Sequence, residues 1–179
     1  MRILDFGCGQ GASTWFLARE GFNTYAFDGS ESAIRKAKER LESEGLYASF
    51  QVADAAAVEY PDEFFDAVID NVCIYANRID DIFRMYQNVY RMLKKGGKLF
   101  SSCFGDELYG YDTGVEIEKG TFTDIQVGPL KDRGVTHIFR QKELEELLSA
   151  TGFKDVQVDW NRYTDQGEPV HLLIAIAEK

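Results

Sequence analysis

The chain has 179 residues, which suits one domain of ordinary size. Hydrophobic residues make up 45% and charged residues 28%, globular values that exclude a disordered chain. The 30 acidic and 20 basic side chains leave a formal net charge of −10, and no basic run offers the Lys/Arg patch that neutralises phosphates, which argues against nucleic acid as a partner.

No apolar run approaches the roughly 18 residues of a membrane helix, and no signal-peptide pattern opens the chain. A soluble, cytoplasmic protein with no membrane partner is expected. Cys8, Cys73 and Cys103 are an odd number without metal-ligand spacing, and there are two histidines. Free thiols and no metal centre are expected.

Strand and helix signals alternate over the first hundred residues, the pattern of a parallel sheet covered on both faces. Arg2 to Phe6 reads as a buried strand, Gly7 to Gly11 as a turn, and Ala12 to Glu20 as a helix stopped by Gly21. Asn23 to Phe27 is a second strand. Ser30 can cap the next helix, whose Ile34, Ala37 and Leu41 share one face before Gly45 ends it. Residues 48–53 and 65–69 read as the third and fourth strands. A helix at 79–94 carries the stripe Ile82, Met85, Val89 and Leu93, and Lys95-Gly96-Gly97 turns into a fifth strand, Lys98 to Phe104.

Beyond residue 104 the alternation breaks. Residues 105–136 are rich in Gly, Asp and Thr, with β-prone fragments such as 120-GTFTDIQVG-128. A helix from Gln141 to Thr151, closed by Gly152, leads to strands near 154–161 and 170–178. The turn-like 165-DQGEP-169 between them predicts an antiparallel hairpin.

The most informative stretch is 3-ILDFGCGQGAS-13: a strand, three alternate glycines and a helix. Glycines there let the backbone turn tightly and approach a ligand, and the helix N-terminus presents unpaired N–H groups. A dinucleotide enzyme would seat pyrophosphate at such a turn with G-x-G-x-x-G, and Ala12 in the third place keeps that open. Asp5 separates the readings, because a carboxylate in the crevice repels pyrophosphate and attracts a cationic amino group. Asp28 ends the second strand, 19 residues after Gly9, where an acid can take both ribose hydroxyls. Asp54 ends the third, placed to accept from an adenine amino group beside the Ala55 N–H. Each acid alone also suits a turn or a helix cap. Three at the ends of three consecutive strands are harder to explain that way.

The runs 4-LDFGCGQG-11, 27-FDGS-30, 53-ADA-55 and 64-FFDAVI-69 resemble the class I S-adenosylmethionine-dependent methyltransferases, as do 90-YRMLKKGGKLF-100 and 140-RQKELEELLSATGF-153. The resemblance covers nearly the whole chain except residues 105–136. It implies a Rossmann-like α/β fold with strand order 3-2-1-4-5-7-6, the last strand antiparallel and helices on both faces. Residues 1–179 would then be one methyltransferase domain with a β-rich insertion on the acceptor side at about 105–136. The implied cofactor is S-adenosyl-L-methionine, leaving as S-adenosyl-L-homocysteine. By the same resemblance, Asp5 and the backbone of Gly7, Cys8 and Gly9 would hold its methionine portion. Asp28 would take the ribose, Gly29 and Ser30 would border the adenine, Asp54 and Ala55 would bind its edge, and Asn71 and Val72 would lie beside the methionine moiety and the acceptor.

The implied reaction is methyl transfer to a small-molecule acceptor by in-line displacement, where the protein mainly positions and excludes water. The family branch that methylates exocyclic amines of DNA bases usually has Asp/Asn-Pro-Pro-Tyr/Phe after the fourth strand, whereas this chain has Asp70-Asn71-Val72-Cys73. Tyr109, Tyr111, Phe122, Glu116 and Glu118 suit the lining of a small or cationic acceptor, or simply fold a flap packed on the sheet. Tyr75 and His137 are the candidate catalytic groups, although a solvated or capping role suits His137 better than that of a base. Two other readings stand beside this one: an NAD(P)-dependent oxidoreductase, and a non-catalytic S-adenosylmethionine-binding module. Family members usually carry helices before the first strand that cover the cofactor. Met1 stands three residues before Leu4, so weak cofactor retention is expected, or cover by the flap or by a second subunit in a homodimer.

Overall fold

The computed structural model describes all 179 residues. Strand β1 (Arg2–Phe6) is buried from Ile3 onward, as a central parallel strand should be. It is followed by α1 (Ala12–Arg19), β2 (Asn23–Asp28), α2 (Glu31–Glu42), β3 (Ser49–Val52), β4 (Phe65–Asn71), α3 (Ile79–Met92) and β5 (Leu93–Phe104). The Ser30 hydroxyl caps α2 by accepting the Ala33 N–H at 3.3 Å, and Ile34, Ala37 and Leu41 form its buried face. After β5 come β6 (Val115–Glu118), β7 (Thr121–Thr123), β8 (Thr136–His137), α4 (Gln141–Thr151), β9 (Lys154–Asp165) and β10 (Glu168–Glu178).

The seven-stranded sheet has the order β3-β2-β1-β4-β5-β10-β9. Counting only its own strands, this is the expected 3-2-1-4-5-7-6, with β10 antiparallel to both neighbours. Right-handed crossovers put α1 and α2 on one face and α3 and α4 on the other. The main core lies under α3 and α4, where Ile82, Met85, Tyr86, Val89, Leu144 and Leu148 pack on Leu99, Cys103, Leu173 and Ala175. Each large apolar side chain buried there contributes about 1.5–3 kcal/mol. On the opposite face α1 and α2 pack chiefly on β1 to β3. The cross-strand row Ile69–Phe100–Ile176 is therefore left largely uncovered, with Ile69 half-buried, Phe100 36% and Ile176 49% exposed.

Two local expectations change. β5 begins at Leu93, so Lys95-Gly96-Gly97 is a bulge inside the strand rather than a turn before it. Leu93 already pairs with Phe65, and pairing resumes at Ala67–Lys98, leaving 94–97 opposite Asp66 alone. The last hairpin also closes much more tightly than 165-DQGEP-169 suggested. Its loop is Gln166-Gly167, both at positive φ (50° and 90°), the two-residue geometry that matches strand twist. In the 105–136 region, β6, β7 and β8 form a separate three-stranded sheet. The fragment 120–128 supplies only Thr121–Thr123 to it.

Candidate active site

Because β1 to β4 are parallel, their carboxyl ends share one edge of the sheet, and the glycine turn spans that edge beside the first helix. Gly7, Gly9 and Gly11 all adopt positive φ (72°, 51° and 78°), but for different reasons. A β-carbon on Gly7 would lie 2.1 Å from the Cys73 sulfur, and one on Gly11 would lie 2.7 Å from the Ala37 β-carbon. Packing inside the protein therefore demands those two glycines. Gly9 meets nothing within 4 Å, so its open side faces the crevice. Cys8 has both main-chain groups engaged, its N–H donating to Phe27 and its C=O accepting from Gly11, while its thiol joins Ala26 and Ile34 in a small apolar cluster.

Asp5 is 2% exposed and receives the Thr14 hydroxyl proton at 2.5 Å. Burial pushes its carboxyl up to about 6, against the lowering pull of Thr14, and the charge of Asp28 adds a further push. Asp28 holds the turn: it accepts the Gly9 N–H at 2.8 Å and the Ser30 N–H at 2.9 Å. The exposed Asp54 accepts the Ala56 N–H at 2.8 Å through one oxygen. Gly29 and Ala55 border the same edge, Gly29 exposed and Ala55 half-buried. None of Asp5, Asp28, Asp54 or Asp70 has a lysine, arginine or histidine within ion-pair distance. A crevice of uncompensated carboxylates with one open glycine backbone suits a ligand carrying cationic groups and hydroxyl donors. It does not suit a pyrophosphate.

β4 runs through Asn71, two residues beyond the 65–69 expected from sequence, so Asp70 and Asn71 are its last residues; Asp70 is fully buried, its carboxyl pushed up to about 6 chiefly by desolvation. Asn71 is exposed and accepts from the Ser102 hydroxyl at 2.9 Å. Val72 is 37% exposed and stands beside it at φ 55°. The two candidate catalytic groups do not open onto this edge. Tyr75 is 7% exposed, packed edge-on against Phe104, with its hydroxyl pushed up to about 12 by burial. His137 is fully buried. Its Nδ1 lies 2.7 Å from the Thr121 hydroxyl and its Nε2 3.4 Å from a Glu143 oxygen, and its main-chain N–H donates to the Tyr75 carbonyl.

Of the expected acceptor lining, Tyr111, Glu116 and Phe122 face a pocket of about 510 Å³ that also takes in Lys119, Arg140 and Glu143. It shares no residue with the glycine turn. Glu118 is used elsewhere, accepting the Ile79 N–H at 2.8 Å at the start of α3. A second, more apolar groove of about 400 Å³ lies between α1 and the largely uncovered sheet face, where Phe16, Ile69 and Phe100 meet Asn71. It adjoins the site directly. Sequence reasoning missed it, as it missed Thr14, Ser101 and Ser102. The signal available for the groove was Phe16 and Phe100 on faces the periodicity leaves uncovered.

A family profile described as a methyltransferase domain matches residues 3–97, more than half of the chain. Phosphoethanolamine N-methyltransferase 2 of Caenorhabditis elegans is 29% identical over 160 residues, covering 88% of this chain and 33% of that protein. The chain thus spans about a third of such curated relatives. Among solved structures, an S-adenosylmethionine-dependent methyltransferase from Methanosarcina mazei superimposes with a TM-score of 0.84 at 28% identity, covering 99% of this chain and 92% of the other. Phosphoethanolamine N-methyltransferase 2 of Haemonchus contortus, in complex with S-adenosyl-L-methionine, shares the fold with a TM-score of 0.76 at 21% identity. That match covers 100% of this chain and 48% of the other. By the residues matched, the glycine-turn geometry and the sheet order, this chain belongs to the Rossmann-like S-adenosylmethionine-dependent methyltransferases.

Proposed function

We propose that this chain transfers a methyl group from S-adenosyl-L-methionine to a small-molecule acceptor, with residues 1–179 acting as one domain and 105–136 as its acceptor-side insertion. The observation that carries the reading is the buried, unpaired Asp5 at the floor of the glycine turn. In this reading Asp5 and the Gly7–Gly9 backbone hold the amino-acid end of the cofactor. Asp28 retains free lone pairs for two ribose hydroxyls while it clamps Gly9. The second Asp54 oxygen and Ala55 take the adenine edge, Gly29 and Ser30 border it, and Asn71 and Val72 flank the reacting end.

The cofactor's sulfonium supplies an already activated methyl group, which leaves little covalent chemistry to the protein. What remains is alignment and exclusion of water, worth several powers of ten in rate when the reacting atoms are held in line. The burial of Tyr75 and His137 supports a packing role for both rather than proton transfer. The Caenorhabditis elegans relative is a methyltransferase of phosphoethanolamine, a small molecule. That supports the class of acceptor. The uncompensated acids argue in the same direction, against a polyanion.

Methyl transfer from labelled S-adenosylmethionine into fractionated metabolite extracts tests the reading. Label should enter a small organic acceptor. Tight cofactor binding with no transfer across broad extracts would leave a binding module and contradict the proposal.

A further inference from the structure

The segment 71–75 holds a conformation that its own residues oppose. Val72 sits at φ 55°, the left-handed region, which is an outlier for a β-branched side chain. Two consecutive serines of β5 hold it there. Ser101 and Ser102 stand directly opposite Asp70 and Asn71 in the sheet. The Ser102 hydroxyl donates to Asn71, and its carbonyl accepts the Val72 N–H at 3.0 Å.

On the buried face the Ser101 hydroxyl donates to Asp70 Oδ2 at 2.6 Å, while Asp70 Oδ1 accepts the N–H groups of Cys73 and Ile74 at 3.0 and 3.1 Å. The Tyr86 hydroxyl lies 2.8 Å from Ser101 Oγ. An ionised carboxylate only accepts, so the protons run one way, from Tyr86 to Ser101 to Asp70. All three side chains are fully buried, and no cation faces them. A buried, uncompensated carboxylate weakens a fold, and an apolar replacement would often be more stable. The segment also reaches the glycine turn, because the Cys73 side chain fills the space above Gly7.

We propose that Ser101 is a positioning residue for the methyltransferase site: through Asp70 it fixes the backbone at Val72 and Cys73 in a strained conformation against the glycine turn, without touching the cofactor. This rests on the cofactor reading above.

A double-mutant cycle tests it. Val72→Gly relieves the strain and should raise the thermal midpoint by about 3 °C. In the Ser101→Ala background the segment has already relaxed, so the same change should gain under about 1 °C. S-adenosylhomocysteine, measured by calorimetry, should bind at least fivefold more weakly to each single variant. An equal gain from Val72→Gly in both backgrounds, or an unchanged affinity in Ser101→Ala, overturns the proposal. Should Ser101→Ala fail to fold, Ser101→Cys serves in its place, since a thiol keeps the space filled but donates only weakly to the Asp70 carboxylate. No binding by the wild-type chain would refute the cofactor reading itself, and the thermal cycle would still decide whether Ser101 holds the strained segment.

Discussion

Replacing Asp5 by asparagine should make the free chain more stable and its cofactor site much weaker. The carboxyl is raised from 3.8 to about 6 in the folded chain, so the folded state binds its proton more tightly than the unfolded state does. The resulting penalty is absent below about pH 4, grows as pH rises through 6, and is complete at neutral pH. A rise of that size corresponds to about 3 kcal/mol. Asparagine keeps an acceptor for the Thr14 hydroxyl but brings a buried amide N–H₂ that needs partners, which takes back about half. A net gain of about 1–2 kcal/mol remains, or about 3–6 °C in thermal midpoint for a chain of this length. The same change removes a desolvated charge from the proposed amino-group contact, a loss of about 2–5 kcal/mol, so S-adenosylhomocysteine affinity should fall about 30-fold or more. Differential scanning calorimetry and titration calorimetry on the same samples measure both effects. A lowered midpoint, or an affinity within threefold of wild type, would refute the reasoning that Asp5 is an uncompensated charge awaiting a cation.

Gly9→Ala and Gly7→Ala should separate ligand contact from packing. Gly9→Ala should cost only about 1–2 kcal/mol of backbone strain in urea unfolding yet weaken S-adenosylhomocysteine binding at least tenfold. Gly7→Ala collides with Cys73 and should lose about 3 kcal/mol or more of stability. Binding should hold steady above pH 7 and weaken below about pH 6, as Asp5 takes up its proton; titrations across pH 5–8 should show this in wild type and a flatter profile in Asp5→Asn. Thr121→Val strips the buried His137 Nδ1 of its hydrogen-bond partner. It should destabilise the chain by about 1–3 kcal/mol, measurable by urea unfolding at pH 7.

Much of this architecture is written in local patterns. Glycines at 21, 45 and 152 end helices where a left-handed residue is needed, and all three are found at positive φ. Asp5 and Asp28 at the ends of β1 and β2, and Asp54 two residues past the end of β3 rather than in it, are legible because parallel strands bring their carboxyl ends to one edge. Long-range packing decides the rest. That Gly7 answers to Cys73 and Gly11 to Ala37 cannot be read from the turn itself, since those partners lie 66 and 26 residues away in the chain. His137 is a candidate base in the sequence because it precedes a helix near the acceptor segment, but the flap strand Thr121–Thr123 closes over it. The serine pair of β5 went unnoticed for a similar reason. Two polar residues late in a strand look like an edge until the register sets them opposite Asp70 and Asn71.

Titration calorimetry of the purified chain at pH 7.5 with S-adenosylhomocysteine, and separately with NAD, tests the central claim most directly. The account predicts one site for S-adenosylhomocysteine and no measurable NAD heat. Tight NAD binding without an S-adenosylhomocysteine signal would contradict it.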